Sequence, residues 1–300
     1  MVSSKIMRWL AVFSAFITAC GEGTVNITDV KYQPKIVIEG ILVPQQLARV
    51  RLRRNFPLDA TIDENQIILQ DAQAAIRDAG GQSHPLQFNA QNNYYEAPDL
   101  IINYGETYTL DVSATIDGQP LSATSTTTVP AAGLEILEDK SLLGSMAYRQ
   151  RDANGEVINF RITFNRSPGT TYYAVSYTAL DADTATFIYD NPFGDVSVED
   201  VVKDFNDFRY NFDWIQDTPT TPGESAIEVF SFFTWFYGDY RAVVYAADRN
   251  YRDFLSTYNQ VQEIDGNFHE PAFHFEGGGD GIGVFGSAVV DTAYFTVLRP

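Results

Sequence analysis

Hydrophobic and polar residues alternate along much of residues 34–130, which is the pattern of strands with one buried face. In ARVRLRRNF, Val50 and Leu52 face one way and the intervening arginines face the other. The dipeptides Gly80-Gly81 and Asp117-Gly118 separate strand-like segments, and the second favours a tight hairpin turn. These signals predict an all-β domain.

The segment YGETYTLDV resembles the tyrosine corner of immunoglobulin-like sandwiches. In such a corner a tyrosine near the start of a late strand bonds through its hydroxyl to the backbone a few residues upstream, and Tyr108 is the candidate. The length of residues 34–130 also suits a seven-strand sandwich. We therefore predict an immunoglobulin-like or fibronectin-like β-sandwich over 34–130.

Beyond Pro130-Ala-Ala-Gly133 the pattern stays β-rich, and residues 131–300 are predicted to form a second, larger β-rich domain with one or two helices. EVFSFFTWFY is apolar on both faces, which predicts a central, covered strand joined to YRAVVYAA at Gly238-Asp239. Apolar spacing predicts a helix over 249–263 with Asp248 as its cap, and a shorter helix near VEDVVKDF. The fold class is thus mainly β.

Residues 1–19 have the composition of a lipoprotein signal peptide. Lys5 and Arg8 precede an apolar run that is shorter than the ~20 residues a membrane-spanning helix needs. Ile17, Thr18 and Ala19 then lead to Cys20, in the manner of a signal peptidase II recognition site. Residues 20–33 are short and polar, which predicts a tether.

Cys20 is the only cysteine in the chain, so it has no partner for an internal disulfide, and lipidation gives it a role. The alternative is an ordinary secretory signal with an incidental cysteine. Gly21 after the cysteine favours the outer membrane, with the body in the periplasm or exposed at the cell surface, and several acyl chains would make the anchoring stable.

The charge excludes some partners. The whole chain has a formal net charge of −19. Without residues 1–19 it keeps 39 acidic and 18 basic residues, a formal charge of −21. Phosphate binding needs clustered lysine and arginine, so the chain is not expected to bind nucleic acid or to dock on anionic lipid by charge. The acidity is that of a well-solvated surface.

Gly281, Gly283 and Gly286 spell G-x-G-x-x-G, but the strand-like SAVVDTAYFTV follows them where a dinucleotide site needs a helix. We expect a bend there, before the last strand, where glycine backbones turn or approach a neighbour closely. His269 and His274 are five residues apart, and Pro271 breaks the helix that a zinc-protease motif requires. No cofactor, metal site or catalytic set is predicted, and the chain is not expected to be an enzyme.

Aromatic residues carry the remaining functional signal, with 3 Trp, 17 Tyr and 21 Phe. Most are expected to pack in the β-sheet core. The candidate exposed binding pairs are Trp214 with Tyr210 and Trp235 with Tyr237.

Several segments in order resemble one known family. They are the cysteine-terminated leader, PKIVIEGIL, YGETYTLDV, a threonine-rich strand ending at Pro130, YRAVVYAADRNYRDFLSTYNQVQ and the tail NFHEPAFHFEGGGDGIGVFGS. Together they resemble a Bacteroidota outer-membrane lipoprotein family of unknown function, domain of unknown function 4249, whose genes lie beside those of TonB-dependent receptors. The resemblance implies an outer-membrane location and an accessory role, and it supplies no catalytic residues.

The leading expectation is therefore a lipid-anchored outer-membrane accessory protein that assists a TonB-dependent transporter by binding substrate or capping the barrel. The alternative is a carbohydrate- or surface-binding module that uses exposed aromatics. A hydrolase built from acidic residues of 181–217 is a third hypothesis, and it requires two carboxylates facing each other across a cleft.

Overall fold

The computed structural model describes residues 31–57, 60–62, 66–192, 196–215, 218–262 and 279–300. Pro34–Pro300 forms one compact unit. The predicted signal peptide and most of the predicted tether lie outside the described residues, and so do Ile17, Thr18, Ala19 and Cys20. The prediction of a mainly β fold is confirmed.

The described residues form sixteen strands and three helices, numbered in chain order. The strands are β1 Ile36–Leu42, β2 Leu47–Arg54, β3 Gln73–Arg77, β4 Ser83–Pro85, β5 Gln87–Asn89, β6 Tyr94–Ile101, β7 Thr107–Ile116, β8 Gln119–Thr128, β9 Glu135–Ile136, β10 Gly144–Ala147, β11 Phe160–Asn165, β12 Tyr173–Ala179, β13 Tyr210–Ile215, β14 Glu224–Val229, β15 Gly238–Ala247 and β16 Gly281–Leu298. The helices are α1 Val198–Lys203, α2 Phe205–Arg209 and α3 Arg249–Gln262.

The N-terminal lobe, residues 34–130 with the first half of β16, is a sandwich of two sheets. One sheet runs β16-β1-β2-β6-β5 and the other runs β4-β3-β7-β8. Alternating apolar residues of both sheets fill one core, as the sequence pattern predicts. The Asp117-Gly118 hairpin between β7 and β8 is confirmed, with φ of 52° and 77° at its two central residues.

The predicted tyrosine corner is also confirmed. The buried Tyr108 hydroxyl accepts a hydrogen bond from the Asn103 amide at 3.0 Å. This contact ties the start of β7 to the turn before it, in a two-sheet sandwich of the predicted immunoglobulin-like kind.

The C-terminal lobe, residues 131–262 with the second half of β16, has its own core. The sheet β13-β12-β15-β16, with β10 along β16, faces the three-stranded sheet β14-β11-β9. Both predicted helical segments are confirmed, as α1 and α3. Helix α3 packs on the opposite side of the large sheet, against Tyr172, Ala174 and Ala247.

Strand β16 joins the two lobes. Its first seven residues pair in parallel with β1, and residues 288–297 pair antiparallel with β15. Phe285 accordingly lies in the N-terminal core, while Val289 and Phe295 lie in the C-terminal core. The boundary near Pro130 stays a prediction, and the backbone pairing of β16 crosses it.

One predicted strand is wrong. EVFSFFTWFY is not a central strand that turns into β15 at Gly238-Asp239. Strand β14 ends at Val229 on the edge of the small sheet, and a 3-10 turn over Ser231–Phe233 follows. The continuous apolar run arises because its rings pack on one another, as Phe232 does on Phe233 with ring centroids 4.5 Å apart. The central strand is β15, which lies between β12 and β16.

Candidate functional site

The glycines of the G-x-G-x-x-G segment let two neighbours approach β16. Gly283 has a φ of 113° and pairs with Ile38, and a Cβ added to it would lie 1.9 Å from the Ile38 carbonyl oxygen. A Cβ on Gly286 would lie 2.9 Å from the Tyr251 amide nitrogen of α3. The expected close approach is therefore present, but it is made by this chain's own backbone. Gly281, Gly283 and Gly286 belong to β16 and so do not form the expected bend; Asp280 just before them lies in a bend, and residues 275–278 lie outside the described residues.

Asp248 connects the two lobes at the start of α3. Its Oδ1 accepts hydrogen bonds from the Tyr251 amide at 2.9 Å and the Ser287 amide at 3.0 Å. Its Oδ2 accepts one from the Thr127 hydroxyl of β8 at 2.6 Å. Burial raises the pKa of the Asp248 carboxyl, although these hydrogen bonds act to lower it. The residue caps the helix, as predicted, and holds β8, β16 and α3 together.

Trp235 and Tyr237, the second pair of candidate aromatics, pack beside the C-terminal core. Trp235 stacks on Phe187 with ring centroids 5.8 Å apart, and Tyr237 meets Tyr148 edge to face at 6.2 Å. The Arg299 guanidinium lies 4.8 Å from the centre of the Tyr237 ring. Both rings are partly buried, so this pair does not form an open patch.

Tyr210 and Trp214, the first pair, both belong to β13, and Tyr210 faces the other side of the sheet. Tyr210 is 50% exposed. It pairs with Thr178, and Trp214 pairs with Ala174. Core residues such as Val175 and Tyr177 alternate with those β12 partners and point toward the C-terminal core. Tyr210 thus lies on the side of the sheet opposite the core beside which Trp235 and Tyr237 pack, and the structure does not bring the two predicted pairs together.

The side of the large sheet that carries Tyr210 is called the outer face here. Because paired residues share a face, the strand register arranges its side chains in rows across four strands. The row formed by Tyr210 of β13, Thr178 of β12, Arg241 of β15 and Tyr294 of β16 is called the tyrosine row. The next row contains Phe212, Ser176, Val243 and Thr292.

Helix α3 covers part of the outer face and leaves the tyrosine row open. Tyr245 and Phe212 pack with Leu255 of the helix around Ala174. Tyr294 is 60% exposed, and Arg241 is exposed as well. The outer face therefore presents two tyrosine rings, an arginine and threonine hydroxyls to solvent.

Arg241 has no hydrogen bond or ion pair with any described residue. Asp239, two positions along the same face, instead accepts a hydrogen bond from the Thr296 hydroxyl at 2.6 Å. Several other arginines of this acidic chain do form ion pairs, such as Arg77 with Asp111 at 2.8 Å. The tyrosine row thus carries an exposed cation whose charge the described side chains leave uncompensated.

Sequence reasoning missed Arg241 and Tyr294. The alternation in YRAVVYAA and in SAVVDTAYFTV contained a signal, since Ala242 and Phe295 face inward and their neighbours must face outward. The sequence did not show that helix α3 packs on this face, so it did not show which outward-facing residues remain exposed.

The buried His84 lies between two carboxylates in the N-terminal lobe. Its Nδ1 is 3.1 Å from an Asp99 oxygen and its Nε2 is 3.3 Å from an Asp78 oxygen.

His269 and His274 lie outside the described residues. Within the described ranges, no three His, Cys, Asp or Glu side chains are grouped so that they could hold a metal ion. The described helices include none that is both long and apolar enough to cross a membrane.

Comparison with protein families gives one match, over residues 24–293, to a family described as a domain of unknown function, DUF4249. The chain belongs to this family. A comparison with curated proteins finds no match.

Three solved structures illustrate how distant the structural likenesses are. A two-domain fibronectin type-III segment of chicken tenascin is 13% identical, with 71% of this chain and 91% of that one covered at a TM-score of 0.19. A DUF4785 family protein of Legionella pneumophila is 9% identical. The match covers 68% of this chain and 51% of that one, with a TM-score of 0.22. A bacterial ice-binding adhesin is 9% identical. The match covers 90% of this chain and 66% of that one, with a TM-score of 0.21. TM-scores this low carry no argument about fold or function.

Proposed function

We propose that this protein is a lipid-anchored, non-enzymatic outer-membrane protein that assists a TonB-dependent transporter. The proposal includes a Bacteroidota origin, lipidation at Cys20 and exposure of the body at the membrane surface. The leader ending in Ile17, Thr18, Ala19 and Cys20 supports the anchor, and membership of a family of unknown function is compatible with it. Of the two accessory roles, substrate binding and barrel capping, we favour substrate binding.

The observation that carries this choice is the open tyrosine row. Exposed tyrosine rings offer flat apolar surface with a polar edge, and Arg241 and Thr178 between them offer hydrogen-bonding groups. Such a mixture of rings and polar groups fits a ligand that lies across the strands.

The non-catalytic part of the proposal is supported by the position of His84. It is held by Asp78 and Asp99 in the N-terminal lobe, and the tyrosine row lies on the C-terminal lobe. His84 could therefore not act as a general base for a nucleophile at the tyrosine row.

The anchor is tested with the Cys20→Ala variant. The wild-type chain is expected to carry acyl groups by mass spectrometry and to sediment with outer membranes, and the variant to carry none and be released. Normal membrane retention of unacylated Cys20→Ala protein would overturn the anchor.

The partnership is tested by affinity purification of the full chain from its native membrane in mild detergent. A TonB-dependent barrel should co-purify, and protease added to intact cells should reach the protein. If no barrel co-purifies and surface protease does not cleave the protein, the accessory role is wrong.

A carbohydrate-binding module without a transporter partner is the second candidate, and Tyr210 and Tyr294 favour it because sugar rings stack on exposed aromatic rings. Glycan binding by the purified chain that Tyr294→Ala abolishes, together with no co-purifying barrel, would favour this candidate. Trp235→Ala is a poorer probe because Trp235 packs beside the core.

A further inference from the structure

We propose that the tyrosine row binds an acidic oligosaccharide, with a uronic acid carboxylate on Arg241 and neighbouring sugar rings on Tyr294 and Tyr210. This inference rests on the substrate-binding role proposed above, and it names the class of substrate. It involves no covalent step.

The geometry of the row suits an extended, flat ligand. Neighbouring strands lie about 4.8 Å apart, so the backbones of Tyr210 and Tyr294 are about 14 Å apart across three spacings. Arg241 is next to Tyr294, and Thr178 lies between Arg241 and Tyr210. The row therefore presents a ring, a hydroxyl, a cation and a second ring in a line.

The charge of Arg241 selects an anionic ligand. The chain has 39 acidic and 20 basic residues, yet this exposed guanidinium has no ion pair with any described residue. A guanidinium binds a carboxylate through two parallel hydrogen bonds. The nearest acidic neighbour along the strand, Asp239, already accepts a hydrogen bond from Thr296. A ligand carboxylate would supply the missing counter-charge.

The size of the open surface favours a sugar over a protein. Residues on one face of a strand repeat about every 7 Å, so two or three rows of about 14 Å cover about 200–300 Å². A standard protein interface buries about 800 Å² on each partner. Helix α3 packs with Phe212, at the β13 end of the second row, and with Tyr245 in the row beyond it. The centre of the open area is also polar, with Thr178, Arg241 and Thr292.

The test is calorimetric titration of the full chain in detergent with pentagalacturonate and, separately, with an alginate tetramer. Cellopentaose, a neutral pyranose chain, is the matched probe. An acidic probe should bind, and cellopentaose should bind at least about tenfold more weakly, because it cannot form the charged hydrogen bonds.

Two variants with matched controls localise the site. Arg241→Gln and Tyr294→Ala should each lower affinity for the acidic probe, by roughly 10- to 100-fold for the arginine. Arg161→Gln on β11 and Tyr104→Ala in the N-terminal lobe replace exposed residues elsewhere and should leave affinity unchanged. Near-ultraviolet circular dichroism confirms that each variant keeps the wild-type fold.

Other outcomes overturn the inference and leave the lipid-anchored accessory role standing. Equal binding of cellopentaose, unaffected by Arg241→Gln, would replace the acidic sugar with a neutral one. If neither acidic probe binds and a photo-crosslinker at position 294 captures the barrel instead, the row is a protein interface. If the wild-type chain neither co-purifies with a barrel nor binds any of the sugars, the proposed function is refuted as well.

Discussion

Both lobes bury tyrosines, but their hydroxyls are treated differently. In the N-terminal lobe the Tyr95 hydroxyl donates to the Leu69 carbonyl at 2.8 Å and accepts from the Ala72 amide at 3.0 Å, and Tyr108 accepts from Asn103. In the C-terminal lobe three buried hydroxyls have no partner among the described residues, those of Tyr148, Tyr172 and Tyr177.

Burial raises the pKa of these unpaired phenols, to about 12 for Tyr148. An unpaired buried hydroxyl costs free energy, whereas a paired one ties down backbone that would otherwise lack a partner. The N-terminal lobe therefore uses its tyrosines as specific ties, and the C-terminal lobe uses these three mainly as large rings that fill space. Tyr240 of the C-terminal core does bond to backbone, so the contrast concerns Tyr148, Tyr172 and Tyr177.

The largest expected effect breaks the strand that both lobes share. Gly283→Val would place a side chain against the Ile38 carbonyl at a φ of 113°, and we expect a loss of more than about 4 kcal/mol of unfolding free energy. Because Trp214 and Trp235 lie in the C-terminal lobe, tryptophan fluorescence in urea reports that lobe, and hydrogen exchange at β7 reports the other.

Both transitions should move together in Gly283→Val, since β16 contributes to both cores. Gly118→Ala, at a φ of 77° with open space around it, should cost only about 1–2 kcal/mol. An unchanged fluorescence transition beside an unfolded N-terminal lobe would show that the lobes are independent.

Tyr108→Phe tests the tied kind of tyrosine. It leaves the Asn103 amide without its hydrogen bond, and we expect a loss of about 1–3 kcal/mol by urea denaturation. Tyr104→Phe, four residues earlier and 39% exposed, is the control and should change little. Equal stability of the two variants would argue against the tie.

Tyr177→Phe tests the untied kind. Removing a buried hydroxyl that has no described partner should leave stability unchanged or raise it by up to about 1 kcal/mol. Tyr240→Phe in the same core should destabilise, because the Tyr240 hydroxyl bonds to both the amide and the carbonyl of Phe236. A clear loss of stability in Tyr177→Phe would contradict the distinction between hydrogen-bonded and unbonded buried tyrosines.

The smallest expected effect is a pH response of the N-terminal lobe. Burial acts to lower the pKa of the His84 ring, but Asp99 and Asp78 outweigh it and raise the pKa above its usual value. A raised folded pKa gives stability that is fully present below the unfolded value of about 6.5 and is lost as the pH rises through the folded value.

The His84 response is measured as urea midpoints between pH 5.5 and 8.5. The wild type should lose stability with rising pH relative to His84→Gln, and the loss should be seen by hydrogen exchange in β4 and β6. Identical pH profiles of the two proteins would show that the pair of carboxylates does not hold the ring.

Local patterns predicted the parts of the fold that depend on neighbouring residues. Period-two alternation gave the strands of the N-terminal lobe, Asp117-Gly118 gave its hairpin, and helical spacing after Asp248 gave α3. The tyrosine corner at Tyr108 was equally predictable, because its partner is only five residues away. The same reasoning failed for Phe230–Tyr237, where packing of rings produced an apolar run without a strand.

Only the tertiary structure decided which surfaces meet. The sequence by itself determined a mainly β chain, since this follows from short-range order, while the lipoprotein leader ending at Cys20 stays a prediction. It did not show that β16 pairs with β1 on one side and β15 on the other, because pairing partners are set by contacts some 240 residues apart along the chain for Ile38 and Gly283. The tyrosine row depends on such pairing, since it unites side chains from four separate strands on a part of the face where Arg241 and Tyr294 stay exposed.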